Sequence, residues 1–202
     1  MAVCDNIIKQ GISPSCDDPL VQGVEQRGII INRDDIDFSA TTFNSTRKNV
    51  IETIALKSEK KAYEVVVMGS TPFTGTNTAL ATGTYRNTFT NTISIVILDN
   101  GPDVCENVID GLANGEFVVI LENKFKGLQK EENPGDPAFQ VYGWYQGLRA
   151  SEMTNDKYSE DTNGGWAVSL QETRAPKSGV FLFKTDYETT SAAVESLVSG
   201  GA

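Results

Sequence analysis

The groups in this sequence that could do chemistry are mostly carboxylates and aromatics. Asp34–Asp35 and Glu131–Glu132 are adjacent pairs, and glycoside hydrolysis needs two carboxyl groups facing each other across a cleft. Adjacent acids in polar loops ordinarily stay solvated, so adjacency alone supplies no cleft. Asp156, Glu160 and Asp161, with Asn155 and Asn163, offer oxygens for a loose calcium loop, but the fixed ligand spacing and central glycine of an EF-hand are missing. Phe139, Tyr142, Trp144 and Tyr145 could stack on a sugar or an unpaired base, or serve as core and interface aromatics.

Several chemistries lack their residues. The sequence has no histidine, which removes the usual general base near neutral pH, the Ser/His and Cys/His nucleophile pairs and the commonest metal ligand. The glycine-rich stretch Gly75 to Gly83 lacks the GK[ST] ending of a phosphate-binding loop. Cys4, Cys16 and Cys105 form an odd set without CxxC spacing, read as free thiols of a reducing compartment, a Cys4–Cys16 bridge being the exception. The expectation is a non-enzymatic chain with no catalytic, cofactor-binding or metal residues.

Charge narrows the partners. Against 17 basic residues stand 27 acidic ones, a net charge of −10, so no basic footprint for phosphate backbones is present. An acidic surface repels phosphates, which suits either ordinary solubility or a conduit that DNA slides through. No run approaches the roughly 18 apolar residues of a membrane span, and the first residues do not read as a secretory signal. The expected place of synthesis and assembly is the cytoplasm, with no membrane partner.

The elements that must position these residues are mostly strands. Residues 1–26 hold Gly11, Pro14, Pro19 and Gly23 among polar residues and read as an arm. Residues 27–188 read as a single β domain, and 189–202 as a C-terminal helix and tail. Arg27 to Phe38 reads as a hairpin turning at Asn32–Asp35, and Val50–Leu56 and Tyr63–Met68 as strands joined by the charged segment Lys57–Lys61. A short helix is expected at about 102–113, with Val104, Cys105, Val108, Ile109 and Leu112 at helical spacing and Pro102 in its first turn. Phe117–Leu121 follows as a strand. After the surface connection Lys126–Pro137 come an aromatic strand Phe139–Leu148 in which Gly143 and Gly147 imply bulges or close backbone contact, a polar loop Ser151–Gly165, and strands Trp166–Gln171 and Val180–Phe183.

One segment stands out. Gly69 to Asn87 is long for a structureless loop in a compact domain, and its threonines favour extended pairing. It reads as part of a long extended hairpin at about 69–92, with its tip near Thr74–Gly83, that pairs with something outside the monomer. The candidate contact residues are Thr71, Pro72, Phe73, Thr74, Leu80, Thr84, Tyr85 and Arg86. The fold class expected is mainly β: an antiparallel β-sandwich or barrel with a short flanking helix, the long hairpin and a C-terminal helix.

The second half resembles the major tail tube proteins of tailed bacteriophages and related contractile injection systems. The likeness spans residues 85 to 185 and is carried by the short helix, by NGEFVVILENK at Asn114–Lys124, and by FQVYGWYQGLRASEMTNDKYSEDTNGGWAVSLQETRAP at Phe139–Pro176. In that family a strand ending in a YG or GxxxGL turn is followed by a polar loop and a core strand of the GxAVSL type. The resemblance implies a virion structural protein assembled in the host cytoplasm. It further implies hexameric rings that stack into a hollow tube, contacts with other tail proteins, and an acidic, polar channel through which DNA passes without specific binding. The alternative is a monomeric carbohydrate- or protein-binding β module displaying an aromatic groove.

Overall fold

The computed structural model describes residues 8–9, 11–12, 16, 19–67, 70–126 and 138–200. A strand buried on both faces must be apolar continuously and not alternately. That condition explains its two most apolar strands. β1 (Val24–Asn32) carries Ile29, Ile30 and Ile31. With β2 (Thr42–Phe43), β3 (Val50–Thr53), β4 (Tyr63–Val65), β5 (Phe73–Ala81), β6 (Thr88–Ile97) and β7 (Phe117–Asn123) it makes up the first part of the chain. β1 and β7 pair antiparallel with Ile30 opposite Val119. Ile29, Ile31, Val118 and Ile120 face one apolar cluster, while Ile30, Val119 and Leu121 face a second.

The remaining strands are β8 (Phe139–Tyr142), β9 (Arg149–Asn155), β10 (Trp166–Ala175) and β11 (Val180–Leu182), followed by helix α3 (Tyr187–Ser199), with α1 (Pro102–Val104) and α2 (Asp110–Asn114) earlier in the chain. Two sheets result, a seven-stranded one in the order β2-β3-β11-β8-β7-β1-β4 and a four-stranded one in the order β5-β6-β10-β9. Among the described strands only β3 and β11 run parallel. The second cluster joins the two sheets through Ile93, Ile95, Val168 and Leu170, and the first packs Val194 and Leu197 of α3 on the opposite face of the larger sheet. The molecule is therefore mainly β, a sandwich with flanking helices.

Both helical segments show local causes. Pro102 sits in the first turn of α1, and a single π turn at Cys105–Ile109 links it to α2. The π turn shifts the phase of the stripe, so Ile109 and Leu112 are buried while Val108 faces outward. Asp186 caps α3, accepting from the Thr189 backbone N–H at 2.7 Å, and Gly200 follows in the left-handed conformation. These hydrogen bonds hold the Asp186 carboxyl below its usual range.

Several sequence expectations are corrected. Arg27–Phe38 is not a hairpin: β1 pairs with the distant β4 and β7, and Arg33–Asp35 form a 3-10 turn that leads Ile36 out to bridge Leu56. β3 and β4 are not neighbours, because β3 finds its partners in β2 and β11 while β4 closes the opposite edge. Phe139–Leu148 is not one strand. Gly143 and Gly147 both take positive φ, and a Cβ at Gly143 would collide with the Phe117 carbonyl, so the glycines form a turn that moves the chain from one sheet to the other. Residues 151–155 of the expected polar loop belong instead to β9 (Arg149–Asn155), whose polar run alternates Ala150 and Met153 inward around a bulge. The thiols Cys16 and Cys105 are free, whereas Cys4, Met68, Gly69 and most of the 126–137 connection lie outside the described residues.

Candidate functional site

Two of the carboxylates considered for chemistry, Asp35 and Asp156, are engaged by local structure. Asp35 accepts from Asn32 Nδ2 at 3.0 Å and pairs with Lys60 at 3.2 Å. Asp156 accepts from the Tyr158 backbone N–H at 2.9 Å. No three Cys, Asp or Glu side chains converge as a cation site among the described residues, and Glu131 and Glu132 lie outside them. The aromatics form no groove. Phe139, Tyr142 and Trp144 are buried, Phe139 stacks on Tyr187 with centroids 5.7 Å apart, and Trp144 meets Phe38 and Phe43 edge-on. Burial holds the Tyr142 and Tyr145 hydroxyls above their usual range.

The long hairpin is present, and its geometry differs from the expected one. Thr74 to Ala81 lie in β5, paired to β6 from Phe73↔Ile95 to Ala81↔Thr88. The tip is thus at 82–87, not at Thr74–Gly83, because the threonine repeat pairs as a strand instead of turning. The candidate contact residues separate into two groups. Pro72 and Phe73 are buried, and Thr71 is half-buried with its hydroxyl donating to the Glu25 carbonyl at 3.3 Å. Thr74, Leu80, Thr84, Tyr85 and Arg86 are exposed. Phe73 anchors the root of the hairpin: its ring fills the space where Gly28 has no side chain, so any Cβ there would strike it. Beyond the root, every residue from Thr74 to Leu80 is exposed, and the strand's contacts with the body of the domain there include the Tyr142–Thr76 side-chain hydrogen bond.

No family model matches the chain, and no curated protein or solved structure matches it. The site must be read from its own geometry.

Two features of the four-stranded sheet matter. β5 and β9 are its end strands, and each pairs with a single neighbour. Exposed edge strands are normally guarded by charge, proline or shortness. β5 is nine residues long, FTGTNTALA, with no charged residue and no proline, and its one irregularity lies at the root, between Phe73 and Gly75.

The second feature is the face turned away from the core. The pairing places Thr154, Ala167 and Val96 in one row, Glu152, Ser169 and Ser94 in the next, and Arg149, Gln171 and Thr92 in a third. Gln171 Nε2 donates to Thr92 Oγ1 at 3.3 Å within that last row. This face is small, polar and charge-balanced, with one acid and one base in these rows. Glu152 is the acid of these rows, and the exposed acids Asp99, Asp103, Glu106, Asp110, Asp156, Glu160 and Asp161 lie in helices and connections.

Sequence reading missed β9 and Glu172. Glu172 is 1% exposed, and its carboxylate accepts from the backbone N–H groups of Tyr145 and Gln146 at 2.8 Å and of Gly143 at 3.2 Å. A charge at an inward position of an alternating strand, two residues after Leu170, was the available signal. It ties the four-stranded sheet to the glycine turn.

Proposed function

We propose that this chain is a structural subunit that assembles edge to edge into a tube, as a tail tube protein does, and that it works by assembly and not by catalysis. The observation that carries the reading is the unguarded edge of β5. A nine-residue strand without charge or proline leaves a row of backbone N–H and C=O groups that water alone satisfies, and such an edge templates pairing with another chain. The β9 edge at the other side of the same sheet is the complementary surface.

Strand direction supports closure. The four strands alternate in direction along the sheet, so β5 and β9 run opposite ways, and β5 of one copy meets β9 of the next antiparallel. An even number of strands per copy lets the alternation continue through every seam. Repetition of that head-to-tail contact around an axis closes a ring and removes every free edge of this sheet. Six copies per ring and stacking of rings into a conduit for DNA follow from the family resemblance. The small polar face then lines the channel without binding phosphate.

Negative-stain microscopy of the concentrated full chain tests the reading. Rings or tubes with a stain-filled centre are the expected image. Monomers persisting across salt and concentration would overturn it.

A further inference from the structure

The four-stranded sheet carries opposite charge at the two ends of its strands. At one end lie the hairpin tip at 82–87 and the close of β10, where Ala175 pairs with Phe89. Residues 47–48 adjoin them, because Lys177 Nζ donates to the Lys48 carbonyl at 2.9 Å. The segments 45–49, 82–90 and 173–179 hold Arg47, Lys48, Arg86, Arg174 and Lys177 and no acid. At the other end β6 runs out into residues 98–106, and residues 155–165 connect β9 to β10. Asn155 ties these two segments together, its Nδ2 donating to Asn100 Oδ1 at 2.9 Å and to the Gly165 carbonyl at 2.6 Å. They hold the exposed acids Asp99, Asp103, Glu106, Asp156, Glu160 and Asp161 against a single base, Lys157.

Resting on the assembly reading above, we infer that the basic end of one copy seats on the acidic end of the next, an ionic contact distinct from the β5–β9 seam and separable from it by salt. The ends cannot satisfy each other within one copy. From Phe89 to Ile97 β6 spans about 26 Å at the usual strand rise, and exposed charges are screened beyond about 10 Å at 0.1 M salt. Each end also carries a bare aromatic, Tyr85 beside Arg86 and Tyr158, which is 95% exposed, among the acids, and Tyr and Arg are the residues that contacts between proteins favour.

Charge complementarity selects a second copy as the occupant. The two ends match in sign and nearly in number, and they lie at opposite ends of one sheet, so each contact leaves one basic and one acidic end free and repeats with fixed polarity. Nucleic acid matches only the basic end, and the net charge of −10 repels it. The two contacts then differ in chemistry. Backbone hydrogen bonds hold the edge seam, whereas the lengthwise contact rests on exposed charges that salt screens.

Sedimentation of the full chain at about 0.01 M and about 1 M salt tests this, because the screening length falls from about 30 Å to about 3 Å between them. The expected result is long polymer at low salt and single rings at high salt, at least a five-fold fall in mean mass. The sign is diagnostic, since a charge of −10 acting as a whole would make salt promote association. Two charge-reversed chains extend the test: one with Arg47→Glu, Lys48→Glu and Arg86→Glu, the other with Glu106→Lys, Glu160→Lys and Asp161→Lys. Each should keep the circular dichroism spectrum of the parent and fail to elongate alone. Mixed, they should double in mass and stop, because each retains one native end. Polymer indifferent to salt, either variant elongating alone, no rise on mixing, or a low-salt complex with duplex DNA in place of polymer overturns the inference. Rings that never lengthen, or tubes that salt leaves intact, sink the ionic contact alone, and lengthwise chains without rings sink the tube alone.

Discussion

Asn91 on β6 lies directly opposite Glu172 on β10, and its Nδ2 donates to the Glu172 carboxylate at 2.8 Å. Thr78 of β5 extends the chain of hydrogen bonds, donating to Asn91 Oδ1 at 2.8 Å. One buried acid thus connects the edge strand, the middle of the small sheet and the turn between β8 and β9. The Glu172→Gln variant turns an NH₂ group toward donors that need an acceptor. Its expected cost is about 2–4 kcal/mol, since unsatisfied buried donors cost about 1–3 kcal/mol each. Thermal unfolding reads this directly, and Glu152→Gln on the exposed face, which should stay within about 0.5 kcal/mol of the parent, is the control.

The edge of β5 separates assembly from folding. Asn77 and Ala79 are exposed strand residues opposite Thr92 and Thr90. Asn77→Lys with Ala79→Lys gives the strand the charge that guarded edges carry. Stability should change by less than about 1 kcal/mol for the pair, each surface substitution contributing about 0.5 or less. Polymer should disappear in sedimentation. Unaltered polymer in the double variant would remove β5 from the seam.

Alkaline pH has a specific target at the start of α3. Burial, reinforced by the hydrogen bond from its hydroxyl to Glu122 at 2.5 Å, pushes the Tyr187 phenol from 10.0 up to about 12. A folded value above the unfolded one means the neutral phenol is favoured in the fold. That contribution is complete below about pH 10 and is lost as pH rises through about 12. Tyr187→Phe should flatten the stability curve in this window, and the tyrosinate absorbance of the parent should show one late-titrating phenol that the variant lacks.

Acid pH acts on the same helix from its cap. Asp186 titrates below its ordinary 3.8 because the fold donates the Thr189 backbone and hydroxyl hydrogen bonds to it. Its contribution is present above the ordinary carboxylate range and is lost as pH falls through the lower folded value. Asp186→Asn, which keeps an acceptor without the charge, should lessen the loss of α3 circular dichroism signal between pH 4 and pH 2. An unchanged acid transition would show that another carboxylate governs it.

The parts of the fold legible in the sequence are those whose signal is local. The Ile29–Ile31 and Phe117–Leu121 runs announce strands through their apolar side chains, and Pro102 marks a helix start through backbone chemistry, whereas the Asp186 cap starts α3 at Tyr187, two residues before the expected Thr189. Pairing is not local. Nothing in Arg27–Phe38 says that β1 takes β4 and β7 as partners, and the charged segment between β3 and β4 looks the same whether it closes a hairpin or crosses a sheet. Glycine is legible as special at 143 and 147, but whether Gly143 bulges or turns depends on the Phe117 carbonyl that it approaches. Within the site, the threonine repeat gave the hairpin and hid its tip, because Thr and Gly serve a strand and a turn alike.

The Phe73–Gly28 contact gives the hairpin a mechanical character. Its root is clamped in the body of the domain while the strand beyond is held chiefly by its ladder to β6 and its tip at 82–87 stands exposed, so the hairpin is a cantilever. Tension along β5 is shared by the whole β5–β6 ladder and passed through β10 into the Glu172 turn, loading many hydrogen bonds in shear. A sideways pull at the tip instead peels the ladder one pair at a time. An object built from such parts resists stretching along its strands and yields first where neighbours are levered apart.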